Sequence, residues 1–280
     1  MTTASMAAVL AIVLYLGSGL VLARGFYANR TALQHAGVIL AALAIAAHAA
    51  VIWLYMSTDL GWNVNFLNIL SLAALMVALV LLLTGIGTRS LEAGVLVFPG
   101  AAVCVAVQWL MKPAPMFLGH IPLMLELHIL TSLLAFSVLA IAAMNAVLLW
   151  IQDYLLRHPR PIRQLELLPP LVVLEQLMFR LIMAGWLLLT IGLLAGLSFV
   201  DDLLAQHLVH KTVLSVVSWI LFGLLLGARW WLGWRGRRAI NWTLMAMLML
   251  ILAYFGSKFI LELMLDRSWS RYGMTMTGLL

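Results

Sequence analysis

The length, composition and charge of this chain indicate a protein that lives in a lipid bilayer. Of its 280 residues, 65% are hydrophobic and only 9% are charged, and the mean hydropathy is +1.10. A water-soluble globule cannot hide that much apolar surface. The net charge of +6 comes largely from arginines in short segments between apolar runs. Their position favours a role in membrane orientation and argues against nucleic-acid binding.

Continuous apolar runs predict helices rather than the alternating strands of a membrane barrel, because each backbone amide needs a partner in hydrocarbon. In chain order, the predicted spans are 5–23, 36–56, 65–87, 93–111, 122–151, 178–200, 211–231 and 240–264. The predicted fold is therefore all-α, a polytopic transmembrane helix bundle of about eight spans. We treat 1–280 as one membrane domain, with 152–177 as its only sizeable loop. No internal repeat is evident.

The two ends of these spans differ in basic residues. The richer end has Arg24, Arg30, Arg89, Arg157, Arg160, Arg163, Arg180, Arg229, Arg235, Arg237 and Arg238. The poorer end has Lys112, Lys211, Lys258, Arg267 and Arg271, together with Asp201 and Asp202. Because basic loops stay in the cytoplasm, the sequence predicts a multi-pass protein of the bacterial inner membrane with both termini outside the cytoplasm. The first run has no basic segment ahead of it and no clear cleavage site, so we expect a retained span.

Histidines are the most informative polar residues. Five of the seven lie toward the predicted outer face, and these are His48, His120, His128, His207 and His210. Imidazole is a ligand of haem iron, zinc and copper, and polar groups inside a membrane are functional candidates. The alternative is that each is an interfacial histidine bonded to a loop. No paired carboxylates, nucleophile elbow or phosphate loop occurs, so no catalytic residue is predicted, and the single cysteine, Cys104, excludes a disulfide framework.

Several segments resemble the cytochrome c assembly protein family of the CcsA and HemX type. They are Leu168-Pro169-Pro170-Leu171, Leu174-Glu175, Phe179-Arg180, Gly185, Leu189-Thr190, Gly192, Gly196, His210-Lys211-Thr212, Ser218-Trp219 and the basic turn 233–239. The resemblance covers roughly 60–264 and is nearest to the YpjD-like inner-membrane branch. It implies that His128 corresponds to the outer haem ligand of the family.

The chain also departs from the family pattern. The tryptophan-rich loop with its WWD core is missing, because 199–210 reads FVDDLLAQHLVH. Ala228 stands where the family has a second, deeper histidine, and no histidine follows the last span. These departures argue against a full haem lyase and leave His210 or His48 as conjectural partners of His128 on haem iron.

Three functions therefore remain open from the sequence. The first is a haem-handling or cytochrome c maturation accessory protein with haem as its cofactor, expected to be a binding protein rather than an enzyme. The second is a non-catalytic partner or regulator of another membrane protein that uses the same scaffold without haem. The third is a small-molecule or ion transporter, with Asp201, Asp202 and the histidines in an outer vestibule.

Overall fold

The computed structural model of the chain describes residues 2–58, 61–85, 89–111, 117–118, 123–157, 171–197 and 206–256, with the side chains at 89–90, 117–118, 206–210 and 256 left out. Eight helices in this part are long and apolar enough to cross a membrane. They are α1 (Thr3–Tyr27), α2 (Thr31–Met56), α3 (Phe66–Gly85), α4 (Gly94–Leu110), α5 (Leu123–Arg157), α6 (Leu171–Leu197), α7 (Gln206–Trp231) and α8 (Arg237–Ile251). The predicted all-α polytopic bundle is confirmed.

Short elements complete the described part. A 3-10 helix, Arg89–Ala93, precedes α4, and a π-helical turn, Leu252–Gly256, continues α8. Three strands, β1 (Ser57–Thr58), β2 (Gly61–Asn63) and β3 (Phe117–Leu118), form an antiparallel sheet in the order β1-β2-β3. Trp62 pairs with both Ser57 and Leu118 across this sheet. The sheet lies where α2 ends and α3 is about to begin, and the sequence did not predict it.

The prediction of a loop over 152–177 was wrong at both of its ends. Helix α5 continues to Arg157, and α6 already begins at Leu171. The 35 residues of α5 span about 52 Å, which exceeds the hydrocarbon thickness of about 30 Å. The loop was predicted from its charged residues, and such residues indicate the edge of the hydrocarbon layer rather than the end of a helix. Helix α5 is long enough to continue beyond that edge into the headgroup layer.

The helices form two four-helix units, α1–α4 and α5–α8, with the same order of neighbours. In each unit the first helix packs against the second and the fourth, and the third helix also packs against the second and the fourth. Helix α3 contacts α5 and joins the units.

A glycine allows close packing at the same place in each unit. A Cβ on Gly37 would lie 2.6 Å from Leu22 Cγ between α1 and α2, and one on Gly185 would lie 2.6 Å from Leu139 Cγ between α5 and α6. In each unit, the two helices with the most extensive contact thus pack with a leucine of the first helix against a glycine of the second.

Candidate functional site

His128 lies in the second turn of α5 and is bonded to the neighbouring helix. Its Nδ1 is 2.7 Å from the carbonyl oxygen of Gly192 on α6. A carbonyl can only accept, so Nδ1 carries the hydrogen and donates it. In the neutral ring the lone pair is then on Nε2. A histidine that ligates a metal is commonly oriented by this kind of bond to a backbone carbonyl.

Two glycines of α6 allow the His128 ring to approach this closely. A Cβ on Gly196 would lie 3.0 Å from His128 Cε1 and 3.1 Å from Nδ1, tighter than an ordinary contact. A Cβ on Gly192 would lie 2.8 Å from the hydroxyl oxygen of Ser132, one turn further along α5. The missing side chains leave a groove on α6 that receives both polar side chains of α5. His128 is therefore held in one orientation by close packing as well as by its hydrogen bond.

Aromatic residues line the inner side of this groove. Phe136 of α5 packs against Tyr254 and Phe255, with ring centroids 5.2 Å and 5.5 Å apart. Both partners belong to the π-helical turn after α8, a type of irregularity that is frequent at functional sites. The Tyr254 hydroxyl lies beside Ser132, yet it is buried without a hydrogen-bond partner among the described residues. The surroundings of His128 thus combine apolar rings with one buried phenol, which lies beside Ser132.

His48 has a different environment. It is completely buried, with Nδ1 3.2 Å from the Tyr15 hydroxyl and Nε2 2.8 Å from the Ser71 hydroxyl. These bonds join α1, α2 and α3 within the first four-helix unit, whereas the bond of His128 lies in the second. Since both ring nitrogens of His48 are engaged, ligation of a metal would have to break one of these bonds.

The remaining predicted histidine, His210, belongs to α7, which begins at Gln206. Its side chain, like that of His207, lies outside the described part of the chain, and so do His120, Asp201 and Asp202. Within the residues that are described, no three histidine, cysteine or carboxylate side chains gather in a way that could hold a metal ion.

Sequence reasoning missed a second polar group near His48. Gln108 of α4 donates to Asn68 Oδ1 at 2.9 Å, and Asn68 in turn donates to the carbonyl oxygen of Asn63 at 2.8 Å. Asn68 and Ser71 are three residues apart, so they lie on neighbouring positions of one face of α3. The available signal was the presence of amide and hydroxyl side chains inside apolar runs, which are costly unless bonded.

An ionic network occupies the arginine-rich end of the second unit. Arg229 Nη1 donates to Glu175 Oε1 at 2.7 Å and to the carbonyl oxygen of Trp234 at 3.2 Å, and its guanidinium carbon is 4.7 Å from the centre of the Phe179 ring. Arg237 Nε donates to Asp153 Oδ2 at 2.7 Å. A cavity of about 80 Å³ lies between α5, α6 and the start of α8, beside Asp153 and Glu175. This network fixes the α7–α8 turn onto α5 and α6.

Comparison with known proteins shows which family the chain matches. The family model described as "Cytochrome C assembly protein" matches residues 36–265. The chain is 32% identical to inner membrane protein YpjD of Escherichia coli strain K12 over 262 residues, 91% of this chain and 98% of that protein. The YpjD protein of strain O157:H7 gives the same values. An uncharacterized 28.8 kDa protein of Azospirillum brasilense is 34% identical over 169 residues, 59% of this chain and 61% of that protein.

No solved structure matches this chain. The eight candidate spans and the similarity to inner membrane proteins support a multi-pass inner-membrane location. The family match covers most of the chain, including α5, α6 and the turn between α7 and α8. The chain therefore belongs to the cytochrome c assembly protein family.

Proposed function

We propose that this protein binds haem near the outer face of the membrane through His128 and serves as a haem-handling accessory in cytochrome c maturation. The observation that supports this most directly is the bond from His128 Nδ1 to the Gly192 carbonyl, 2.7 Å long. It fixes the tautomer in which Nε2 has the lone pair that a metal requires. A neutral imidazole also brings no net charge into an apolar span.

The surroundings of His128 suit a porphyrin. The apolar side chains on the outer turns of α5 and α6, among them Leu127, Leu130 and Leu194, are exposed and offer hydrocarbon contact to a flat ring. Further inward, the Tyr254 hydroxyl can hydrogen-bond to a polar group of a bound molecule. When bound, haem would supply an iron centre. The chain's own residues would bind it, orient it and keep water from its inner side.

The departures from the family pattern limit this role. The sequence between 199 and 210 contains no tryptophan, and Ala228 precedes Arg229 where the family has its deeper histidine. We therefore propose that His128 would be the one family-like protein ligand of haem, and that this protein alone does not attach haem covalently. His210 is the first candidate for a second ligand, whereas His48 is less suited because both of its nitrogens are bonded.

The test is the absorption spectrum of the purified protein after haem addition. We expect a Soret band in the wild type, and its loss or a strong shift in His128→Ala. The matched control is His35→Ala, because His35 is an exposed histidine in the first turns of α2. Gly196→Ala should weaken the band as well, since its Cβ would lie 3.0 Å from the His128 ring. Equal spectra for the wild type and His128→Ala would refute the assignment of this site.

A wild-type protein that stays colourless after haem addition would instead favour the second function, a partner or regulator that uses the scaffold without haem. The transporter hypothesis was based on Asp201 and Asp202 together with the histidines, and both aspartates lie outside the described residues. Co-purification with a defined cytochrome c maturation protein, with and without haem, would then separate the first two functions.

A further inference from the structure

The turn between α7 and α8, residues 230–238, is held in one conformation. Gly233 and Gly236 have φ angles of +63° and +58°, in the left-handed region that glycine adopts most readily. The Trp234 amide donates to the Ala228 carbonyl at 3.2 Å, and the Trp234 ring packs against Trp242 with centroids 5.3 Å apart. We call these nine residues the basic turn.

The basic turn presents more positive charge than its neighbours neutralise. Arg237 is paired with Asp153, and Arg235, which is 64% exposed, lies 3.5 Å from a Glu175 oxygen that already pairs with Arg229. Arg238 is exposed, and no carboxylate within the described part of the chain pairs with it. Asp153 is also shared with Arg157. The surface of the turn therefore keeps an excess of guanidinium groups.

Large apolar side chains stand immediately before these arginines. Trp230, Trp231 and Leu232 are 71%, 88% and 70% exposed. In water such a row would be unfavourable, but indole rings concentrate at the headgroup level of membranes. If Trp230 and Trp231 lie at the headgroup level, Arg235 and Arg238, which follow a few residues later, lie at the depth of the lipid phosphates.

We propose that the basic turn is a binding site for the phosphate headgroup of an anionic phospholipid. The guanidinium groups of Arg235 and Arg238 match phosphate oxygens in charge and in the geometry of their paired N–H donors. The tryptophans contact the glycerol and upper acyl region of the same lipid. Since the turn is already fixed by Trp234 and the two glycines, lipid binding does not have to order it. This site is independent of haem and lies at the opposite end of α7 from His210.

The test measures lipid binding to the full-length protein by native mass spectrometry. The protein is transferred to micelles with equimolar dioleoyl phosphatidylglycerol and dioleoyl phosphatidylcholine. We expect selective retention of phosphatidylglycerol that weakens as ionic strength rises. Arg235→Gln combined with Arg238→Gln should reduce phosphatidylglycerol affinity about 25-fold, because each basic residue near an anionic surface contributes about a fivefold change.

The control is Arg24→Gln combined with Arg30→Gln. Both arginines are exposed, with Arg24 in the last turn of α1 and Arg30 just before α2. Their replacement removes the same charge at the same end of the molecule. We expect the control to retain phosphatidylglycerol. The double variant Arg235→Lys with Arg238→Lys should bind more phosphatidylglycerol than the double glutamine variant, because it keeps the positive charge. Equal retention of the two lipids by the wild type, or an equal loss in the control and the basic-turn variants, would overturn the proposal. Melting temperatures measured in parallel identify any variant that has lost its fold.

Discussion

Arg229 and Glu175 illustrate how single residues stabilise the arginine-rich end of the second unit. Their side chains are 18% and 16% exposed, so each would pay a desolvation cost without the other. The Phe179 ring covers one side of the guanidinium, and the Trp234 carbonyl accepts a second hydrogen bond. Glu175 also accepts from the Gly236 amide at 3.3 Å. One carboxylate thus connects α6 with both ends of the α7–α8 turn.

We predict that Glu175→Gln destabilises the protein by about 1–3 kcal/mol, because it leaves Arg229 largely buried without its counter-charge. The measurement is the thermal midpoint in detergent or in nanodiscs. Arg157→Gln is the control, because Arg157 forms an exposed i,i+4 pair with Asp153, and such pairs contribute little. A thermal midpoint of Glu175→Gln equal to that of the control would show that the Arg229 pair is not structural.

The sequence predicted some residues of the candidate site but not their partners. His128 is recognisable as a histidine in an apolar run that matches a family position. Its partner, the Gly192 carbonyl, is not recognisable, because it is 64 residues away and every residue has a carbonyl. Glu175 likewise has its ion-pair partner, Arg229, 54 residues further along the chain. Only the crossing of helices decides such pairs.

At the scale of elements, α6 and α7 are joined by a cluster of aromatic and hydroxyl groups. Trp186 Nε1 donates to the Trp219 carbonyl at 3.0 Å, and Trp219 Nε1 donates to the Thr190 hydroxyl at 2.8 Å. Thr190 in turn donates to the Trp186 carbonyl at 2.8 Å. The two indole rings stack with centroids 5.5 Å apart. Hydrogen bonds of this kind are a main source of helix association in membranes, where burial of apolar surface contributes little.

We predict that Thr190→Val weakens the α6–α7 contact, because it keeps the side-chain volume but removes the acceptor of the Trp219 N–H. The expected loss is about 1 kcal/mol, the usual size for hydrogen bonds between membrane helices. The measurement is a denaturant or thermal unfolding curve, compared with Thr131→Val. The Thr131 hydroxyl donates to carbonyls of its own helix, so we expect little change there. A larger effect of Thr131→Val would contradict the interhelical role of Thr190.

Helix identity was easier to predict than helix length. Continuous apolar runs gave the number and order of the spans, because hydrocarbon forces each run to satisfy its own backbone. The ends of α5 and α6 were misplaced because charge marks the membrane boundary, and a helix is free to continue past it. The small sheet of β1, β2 and β3 was missed because two- and three-residue strands carry no periodic pattern.

At the scale of the whole molecule, the distribution of arginines predicts the sidedness of the bundle. The α1–α2 connection, the end of α5 and the α7–α8 turn share one end and carry most of the basic residues. The sheet with Thr58 lies at the other end. The positive-inside rule predicts that the arginine-rich end faces the cytoplasm and that the first helix of each unit begins outside it.

We predict that Arg157→Cys, in a Cys104→Ser background, reacts with a membrane-impermeant maleimide only after spheroplasts are permeabilised. Thr58→Cys in the same background should react in intact spheroplasts, since Thr58 is exposed at the opposite end. Cys104 has to be removed because it is a free thiol on α4. The reverse pattern of labelling would invert the whole topology.

The shared neighbour order of α1–α4 and α5–α8 has a consequence for how such a bundle can arise. Each unit has an even number of spans, so a copy fused head to tail enters the bilayer in the same direction as the original. An axis along the membrane normal would relate two such copies, as in parallel repeats, whereas inverted repeats require odd-numbered units and a reversal of charge bias. The neighbour order therefore fits a parallel relation of the two units, in which the leucine-on-glycine contacts at Gly37 and Gly185 lie between corresponding pairs of helices.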